Sequence, residues 1–413
     1  MKKVLFIAAV AALALVSCAK VENTLKTTGP GTPVKFGVYV PQTKAGRAGQ
    51  MNTDSLKVDS LHHGGFGVFA YYTDDAGYST SAKPNFMYNQ GVFWNGSAWA
   101  YTPIKYWPNE FGTSATSAAS DSLSFFAYAP YLTEAEFTTP GTYNITAKAP
   151  ANNAAGDPKI TYVVDPTPST AVDLLWAVNG TTGLPWKNVS KQAVNGKVTF
   201  LFKHALARFN VNVRGYFDEV RSANGATSTD DVDANTKITI DSIEVSGSFF
   251  PNGILNLNNT TANKALWETT SAAATSLVIP NADIHESLRA TVNGETTFPS
   301  VDGVTKTNVN VFSGAAPAKA DSTYYTFIPK DTPTTLTVKI TYYVTTKDDR
   351  LDGGISCVKN AIYKDITIDE LENGKNYNLN IVLGMTTVKL EATVEAWDDP
   401  TDLDDIDLPV NLS

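Results

Sequence analysis

A period of two in the apolar residues constrains this chain more than any other feature. Val34, Phe36, Val38 and Val40 alternate with Lys35, Gly37 and Tyr39. Far along the chain, Val388-Lys-Leu-Glu-Ala-Thr-Val-Glu-Ala-Trp397 alternates in the same way. Successive side chains of a strand point to opposite faces, so this spacing predicts half-buried strands and not helices. Pro41 ends the first of them, because proline cannot donate to a ladder. Thr, Ser, Asn, Val and Tyr are abundant and helix formers are sparse, which agrees with β-structure.

Further strands follow at short intervals. Phe66-Gly-Val-Phe-Ala-Tyr-Tyr72 runs into a turn cluster at 73–77. Gln90–Trp94 and Ala98–Tyr101 flank Asn95-Gly96, a hairpin signal because both residues tolerate positive φ. Leu123-Ser-Phe-Phe-Ala-Tyr-Ala-Pro-Tyr131 breaks at Pro130, and weaker strands lie at Lys159–Val164 and Leu174–Val178. From Val198 to Val213 a strand pair carries the chain across a boundary placed near 200–205. Lys237–Val245, Phe249–Leu257, Tyr324–Ile328, Leu336–Val344 and Tyr377–Leu383 complete the set, and 258–320 reads as long loops between short strands. Many short strands with turn clusters predict an all-β chain built of sandwiches.

The N-terminus reads as a processed leader. Lys2 and Lys3 precede an apolar run from Val4 to Val16, shorter than the ~20 residues a spanning helix needs. The run ends Leu15-Val16-Ser17-Cys18, a bacterial lipobox in which Cys18 becomes the lipidated N-terminus; the alternative is an ordinary secretory signal with an incidental Cys. Ala19 follows, where an Asp often retains lipoproteins at the inner membrane, so outer-membrane delivery is expected. Ala19 to Pro33 is a flexible tether rich in Thr, Gly and Pro. The small, basic segment after Pro41, with Lys44 and Arg47 among Ala and Gly, is open to proteases.

At the other end, Asp398, Asp399, Asp402, Asp404, Asp405 and Asp407 crowd a short linker. A calcium loop needs Asp-x-Asp-x-Asp-Gly, which is absent, and like-charge repulsion that keeps the linker extended is the stronger reading. Beyond it Ile406, Leu408, Val410 and Leu412 alternate with Asp407, Pro409, Asn411 and Ser413. This second face carries the same number of apolar residues, four, at the same period as Val34 to Val40.

Catalytic signals are lacking. The sequence has no Gly-x-Ser-x-Gly elbow, no phosphate-binding glycine loop and no His-Glu-x-x-His. Of four histidines, His62-His63 lies in a Gly-rich loop without metal-ligand spacing, and His204 alone sits in a strand. The expectation is no enzyme, no metal and no cofactor. A formal charge of −9 argues against nucleic acid, which a basic face must bind. Cys357 is left without a disulfide partner once Cys18 is removed, and reads as a small buried or strand-edge residue. Phe93, Trp94, Trp99, Tyr101, Tyr106, Trp107, Phe125, Phe126, Tyr128 and Tyr131 fit a sandwich core better than a sugar platform.

Several of these stretches together resemble the fimbrillins, the pilins of the protease-matured (type V) fimbriae of Bacteroidetes. The marks are the lipobox at Cys18, the early strand with Arg47 after it, and Phe66-Gly-Val-Phe-Ala-Tyr71. Further marks are Trp99-Ala-Tyr-Thr-Pro-Ile-Lys-Tyr-Trp-Pro108, Phe125-Phe-Ala-Tyr-Ala-Pro-Tyr131, Phe202-Lys-His-Ala-Leu-Ala207 and Val394-Glu-Ala-Trp397. The pattern is most like the stalk subunits of the shorter fimbria type.

The resemblance implies two tandem transthyretin-like β-sandwich domains with Greek-key-type connections. On this chain it implies a signal at 1–18, a tether and leader strand at 19–47, sandwiches at 48–202 and 203–397, and an acidic linker with a donor strand at 398–413. It implies an outer-membrane lipoprotein precursor cut by an arginine-specific protease between Arg47 and Ala48. The strand of Val34, Phe36, Val38 and Val40 then leaves, and Ile406, Leu408, Val410 and Leu412 of another copy fill its groove. The product is an extracellular fimbrium of copies of the chain and accessory fimbrial subunits, with a host or bacterial surface receptor still to be named. A tip or anchor adhesin is one rival; a monomeric glycan-binding surface lipoprotein is the other.

Overall fold

A computed structural model describes residues 31–40, 51–58, 64–73, 76–108, 122–139, 143–168, 170–190, 196–215, 236–269, 272–280, 324–347, 350–383 and 388–396. In chain order its strands begin with β1 (Lys35–Tyr39), β2 (Phe66–Thr73), β3 (Met87–Trp94), β4 (Trp99–Ala100) and β5 (Ser122–Ala129). Then come β6 (Ile145–Ala149), β7 (Lys159–Val163), β8 (Leu175–Asn179), β9 (Trp186–Val189), β10 (Lys197–His204) and β11 (Ala207–Gly215). The rest are β12 (Thr236–Phe249), β13 (Asn252–Asn256), β14 (Leu266–Thr269), β15 (Ala273–Pro280), β16 (Tyr325–Phe327), β17 (Thr334–Lys347), β18 (Ile355–Ile368), β19 (Lys375–Leu383) and β20 (Val388–Ala396). Two short helices, α1 (Thr53–Lys57) and α2 (Glu134–Phe137), escape a reading by periodicity because each makes little more than one turn. The chain is all-β, as expected.

Seven strands form a closed ring of pairings, β2-β3-β4-β1-β10-β8-β5, with β5 pairing back to β2 and β9 attached to β5. The ring holds one core, in which Phe36, Phe66, Val68, Leu123, Phe125, Leu175, Phe200 and Phe202 pack together. The opposite faces of β2, β5 and β8 carry Phe69, Tyr71, Phe126, Tyr128 and Trp176 into a second core. That core is closed by a four-stranded sheet, β14-β13-β7-β6, through Ile160, Tyr162 and Leu255. With both faces covered, β5 needs no polar side. This is why Phe125–Ala129 is a continuous apolar run and not a clean alternation, with the small Ser122 and Ser124 also buried before it. By contrast, β10 alternates, because its outer face at Lys197 and Thr199 is open to water.

The chain leaves the ring at Ala205-Leu206 and enters two further four-stranded sheets, β16-β11-β19-β20 and β15-β12-β17-β18. Between them lies a third core with Phe209, Val245, Phe249, Phe327, Val338 and Leu379. Phe327 stacks on Phe209 at 4.9 Å and on Phe249 at 4.4 Å between ring centroids, the offset geometry aromatic pairs favour. A cut at 202/203 would not separate every sheet. β13 and β14 follow β12 in sequence, yet β13 pairs with β7, Leu255 opposite Ile160. The turn at Pro251 therefore moves the chain from one sheet to another instead of making a hairpin.

The Asn95-Gly96 hairpin forms, with Trp94 opposite Trp99. Only Gly96 takes positive φ, at +98°. Asn95 instead uses its side-chain oxygen, which accepts from the backbone N–H of Ser97 at 3.0 Å and of Ala98 at 2.9 Å. Asparagine can turn a chain in that way without adopting a left-handed backbone.

Polar bonds tie the excursion at 252–269 to the body. Asp157 accepts from Tyr78 Oη at 2.8 Å, from Asn258 Nδ2 at 3.1 Å and from Asn256 Nδ2 at 3.1 Å. Burial and the Asp157 carboxylate hold the Tyr78 hydroxyl far above its usual range, so it stays a donor. Asp157→Ala should take the acceptor from Tyr78 Oη and Asn258 Nδ2, while Asn256 Nδ2 keeps its bond to Glu268, and cost about 1–3 kcal/mol. Urea unfolding followed by tryptophan fluorescence should show the lower midpoint.

Candidate functional site

Strand β1 is a short segment held by side chains and backbone from across the sequence. It runs parallel to β10, with Lys35 opposite Lys197, Gly37 opposite Thr199 and Tyr39 opposite Leu201. On its other edge β4 meets it at one position, Phe36 opposite Trp99. One side of the strand is thus laddered and the other is pinned at points.

The pins are at the ends. Val34 donates its N–H to Lys105 O at 2.9 Å and accepts the Tyr101 hydroxyl at 2.8 Å. Thr53 Oγ1 accepts from Val40 N at 2.9 Å and donates to Val40 O at 3.0 Å. Thr53 itself is well anchored. Asn52 caps α1 by accepting from Ser55 N at 2.8 Å. Met51 N donates to Asp173 Oδ2 at 2.9 Å, and Met51 and Leu56 are buried. So Met51 and α1, which follow the basic stretch of sequence at 44–47, are fixed to the body by bonds that do not involve β1.

Asp173 also meets His204, with Nδ1 2.9 Å from Oδ2, and both side chains are fully buried. This accounts for His204. It buttresses the carboxylate that holds Met51, and a buried carboxylate needs such partners. Asp173 carries no sequence signal of its own. It lies in the loop before β8, and only the fold brings it to residue 51.

The inward face of β1 is as expected in kind. Val34, Phe36 and Val40 are buried, and Val38 is half-buried. Phe36 is the centre. Its ring stacks on Phe200 at 5.6 Å and meets Phe66 and Phe125 edge-on, each at 6.1 Å. The three buried side chains contribute roughly 4–9 kcal/mol of burial. On the outer face Tyr39 is exposed and Lys35 is in register with Lys197, whose side chain lies over Gly37. Of the aromatic crowd, Tyr101, Trp107, Phe125, Phe126 and Tyr128 are core, while Phe93 and Tyr106 are exposed. Cys18, Arg47, Ala48, Ile406, Leu408, Val410 and Leu412 lie outside the described residues, as do His62, His63 and Trp397.

Two outcomes check the site. Phe36→Ala in the uncut chain should cost about 3–5 kcal/mol in chemical denaturation, since it empties the middle of the ring. Burial pushes the Tyr101 hydroxyl up to about 12. The folded state therefore holds that proton at pH values where the unfolded chain has lost it. The resulting stability is complete below about pH 10 and is lost as pH rises towards 12. Tyr101→Phe should flatten part of that alkaline fall in denaturation midpoints.

A family model described as fimbrillin-like matches residues 61–397. Fimbrium subunit Fim1C of Phocaeicola vulgatus is 25% identical over 414 residues, covering 95% of this chain and 96% of that protein. The crystal structure of a fimbrial protein from Bacteroides vulgatus superposes with a TM-score of 0.60 at 22% identity, over 88% of this chain and 99% of that one, and so shares the fold. The family match spans both halves of the molecule, from before β2 to the end of β20, and the chain belongs to the fimbrillin-like family.

Proposed function

We propose that this chain is a fimbrial stalk subunit that polymerises by protease-triggered donor-strand exchange. The observation that carries the reading is β1. It closes a ring of strands, yet it is continuous with the body only through the basic segment that contains Arg47. A strand so placed can be removed by one cut while Met51 stays bonded to Asp173, Asn52 still caps α1 and Leu56 remains buried.

Loss of β1 would expose Phe66, Phe125 and Phe200 and leave the backbone of β10 unpaired along that edge. Such an edge is a template for another chain. Ile406, Leu408, Val410 and Leu412 of a second copy supply the matching face. A head-to-tail contact of this kind does not close on itself, so it builds a filament. While the leader stays in place it blocks assembly, which confines polymerisation to the surface where the protease acts.

In this reading Cys18 carries the lipid that brings the precursor to the outer membrane. An arginine-specific protease cuts after Arg47, and the mature chain enters an extracellular fimbrium with accessory subunits. The two units are tandem transthyretin-like sandwiches, 48–202 and 203–397, with β13 and β14 lent by the second to the first. A tip would accept a strand without giving one, and an anchor would keep its lipid. The alternating face at 406–412 and the usable Arg47 favour a stalk over both.

Sequencing the mature protein from cells tests the cut. Ala48 at the N-terminus is the expected result, and a lipidated Cys18 would sink the scheme. Deleting Ile406–Ser413 should give a folded, exported subunit that forms no ladder after limited trypsin treatment. Ladders from that variant would remove the tail as donor.

A further inference from the structure

We infer that the donor strand enters the groove in the sense opposite to the leader, antiparallel to β10. The inference rests on the donor-strand reading above and adds the direction of the incoming strand. It follows from which edge each backbone group of β1 faces, and from Pro409.

In an extended strand the N–H and C=O of one residue point to the same edge, and successive residues alternate between edges. Lys35 N donates to Gly196 O at 3.2 Å, so Lys35, Gly37 and Tyr39 present their backbone to β10. Val34, Phe36, Val38 and Val40 then face the β4 edge. The bonds of Val34 N to Lys105 O and of Val40 N to Thr53 Oγ1 agree. Inward side chains and β4-facing backbone therefore belong to the same residues.

The tail must put Ile406, Leu408, Val410 and Leu412 inward. If it runs in the leader's sense, Asp407, Pro409 and Asn411 present their backbone to β10. Pro409 then stands at the place of Gly37, or two residues to either side. It has no N–H to give, and a β10 carbonyl in a buried ladder loses its donor. Turning the strand end for end about the sheet normal keeps the same four side chains inward and exchanges the edges. The prolyl nitrogen then faces the β4 edge, where the leader itself is paired only at points. The residues that face β10 become Ile406, Leu408, Val410 and Leu412, all of which have an N–H.

One term runs the other way. In the leader's sense Asp407 would stand beside Lys197. That pair is exposed on the outer face, and an exposed ion pair contributes less than an unpaired buried carbonyl costs. Reversed, Asp407 stands beside Leu201, with Lys203 next on the same outer face, so a basic partner is available in either sense. The proline decides.

Disulfide mapping in assembled polymers tests the direction. In the full chain carrying Cys357→Ser, Asp407→Cys or Asn411→Cys is combined with Lys197→Cys, Thr199→Cys or Leu201→Cys. Each variant is cut with trypsin, allowed to polymerise, oxidised and run on a denaturing, non-reducing gel. All these positions are on the outer face, and three partner positions on β10 guard against one variant that folds poorly. The expected result is covalent ladders from Asn411→Cys with Lys197→Cys and from Asp407→Cys with Leu201→Cys. The opposite order, residue 407 with 197 and residue 411 with 201, overturns the inference and leaves the donor reading intact. Polymers with no cross-link at any pair would show that the tail does not lie beside β10, and would overturn both.

Discussion

The pairing of β1 with β10 is the contact on which the first half of the molecule depends. Five residues close a ring of seven strands, and Phe36 fills the middle of it. Elsewhere in the ring β2, β5 and β8 are backed by a second core, and β10 is laddered on both edges, to β1 and to β8. β1 has a full ladder on one edge only. Its other edge relies on Lys105 and Tyr101 at Val34, on the two bonds of Thr53 at Val40, and on the lone pairing with Trp99. The strand is energetically important through burial and yet is not woven into the sheet. That combination is what a removable plug requires.

The residues around the end of β1 are anchored without it. The carboxylate of Asp173, itself satisfied by His204, grips Met51, and Asn52 starts a short helix that buries Leu56. Thr53 therefore holds the end of β1 from a fixed position. The bond from Met51 to Asp173 and the cap from Asn52 to Ser55 do not pass through β1. Polymerisation by exchange of strands needs such a division, because a cut that also loosened the body would trade a groove for an unfolded edge.

Much of the architecture was legible in the sequence, for a simple reason. Strands with one wet face, such as β1 and β10, write their orientation as alternation. Strands buried on both faces do not, and β5 could be recognised as a strand without its two cores being told apart. The crossing of β13 to pair with β7 was not legible. Nothing local marks it, since the residues around Pro251 turn equally well into a hairpin or into a different sheet. The inward face of β1 was visible as Val34, Phe36, Val38 and Val40. The devices that hold it were not. Thr53 and Tyr101 act through single hydroxyls, and Asp173 acts across more than a hundred residues of chain, so neither leaves a periodic trace. His204 drew notice as the one histidine in a strand, and its role proves to be support of a carboxylate.

The central claim is that one short segment gives up its place beside β10 to the same kind of segment from another copy. Electron cryo-microscopy of the assembled filament tests it most directly. The density between β10 and β4 is expected to be residues 406–412 of the adjoining subunit, with Val34–Val40 absent from the filament. Finding Val34–Val40 still seated there, with subunits joined through some other surface, would contradict it.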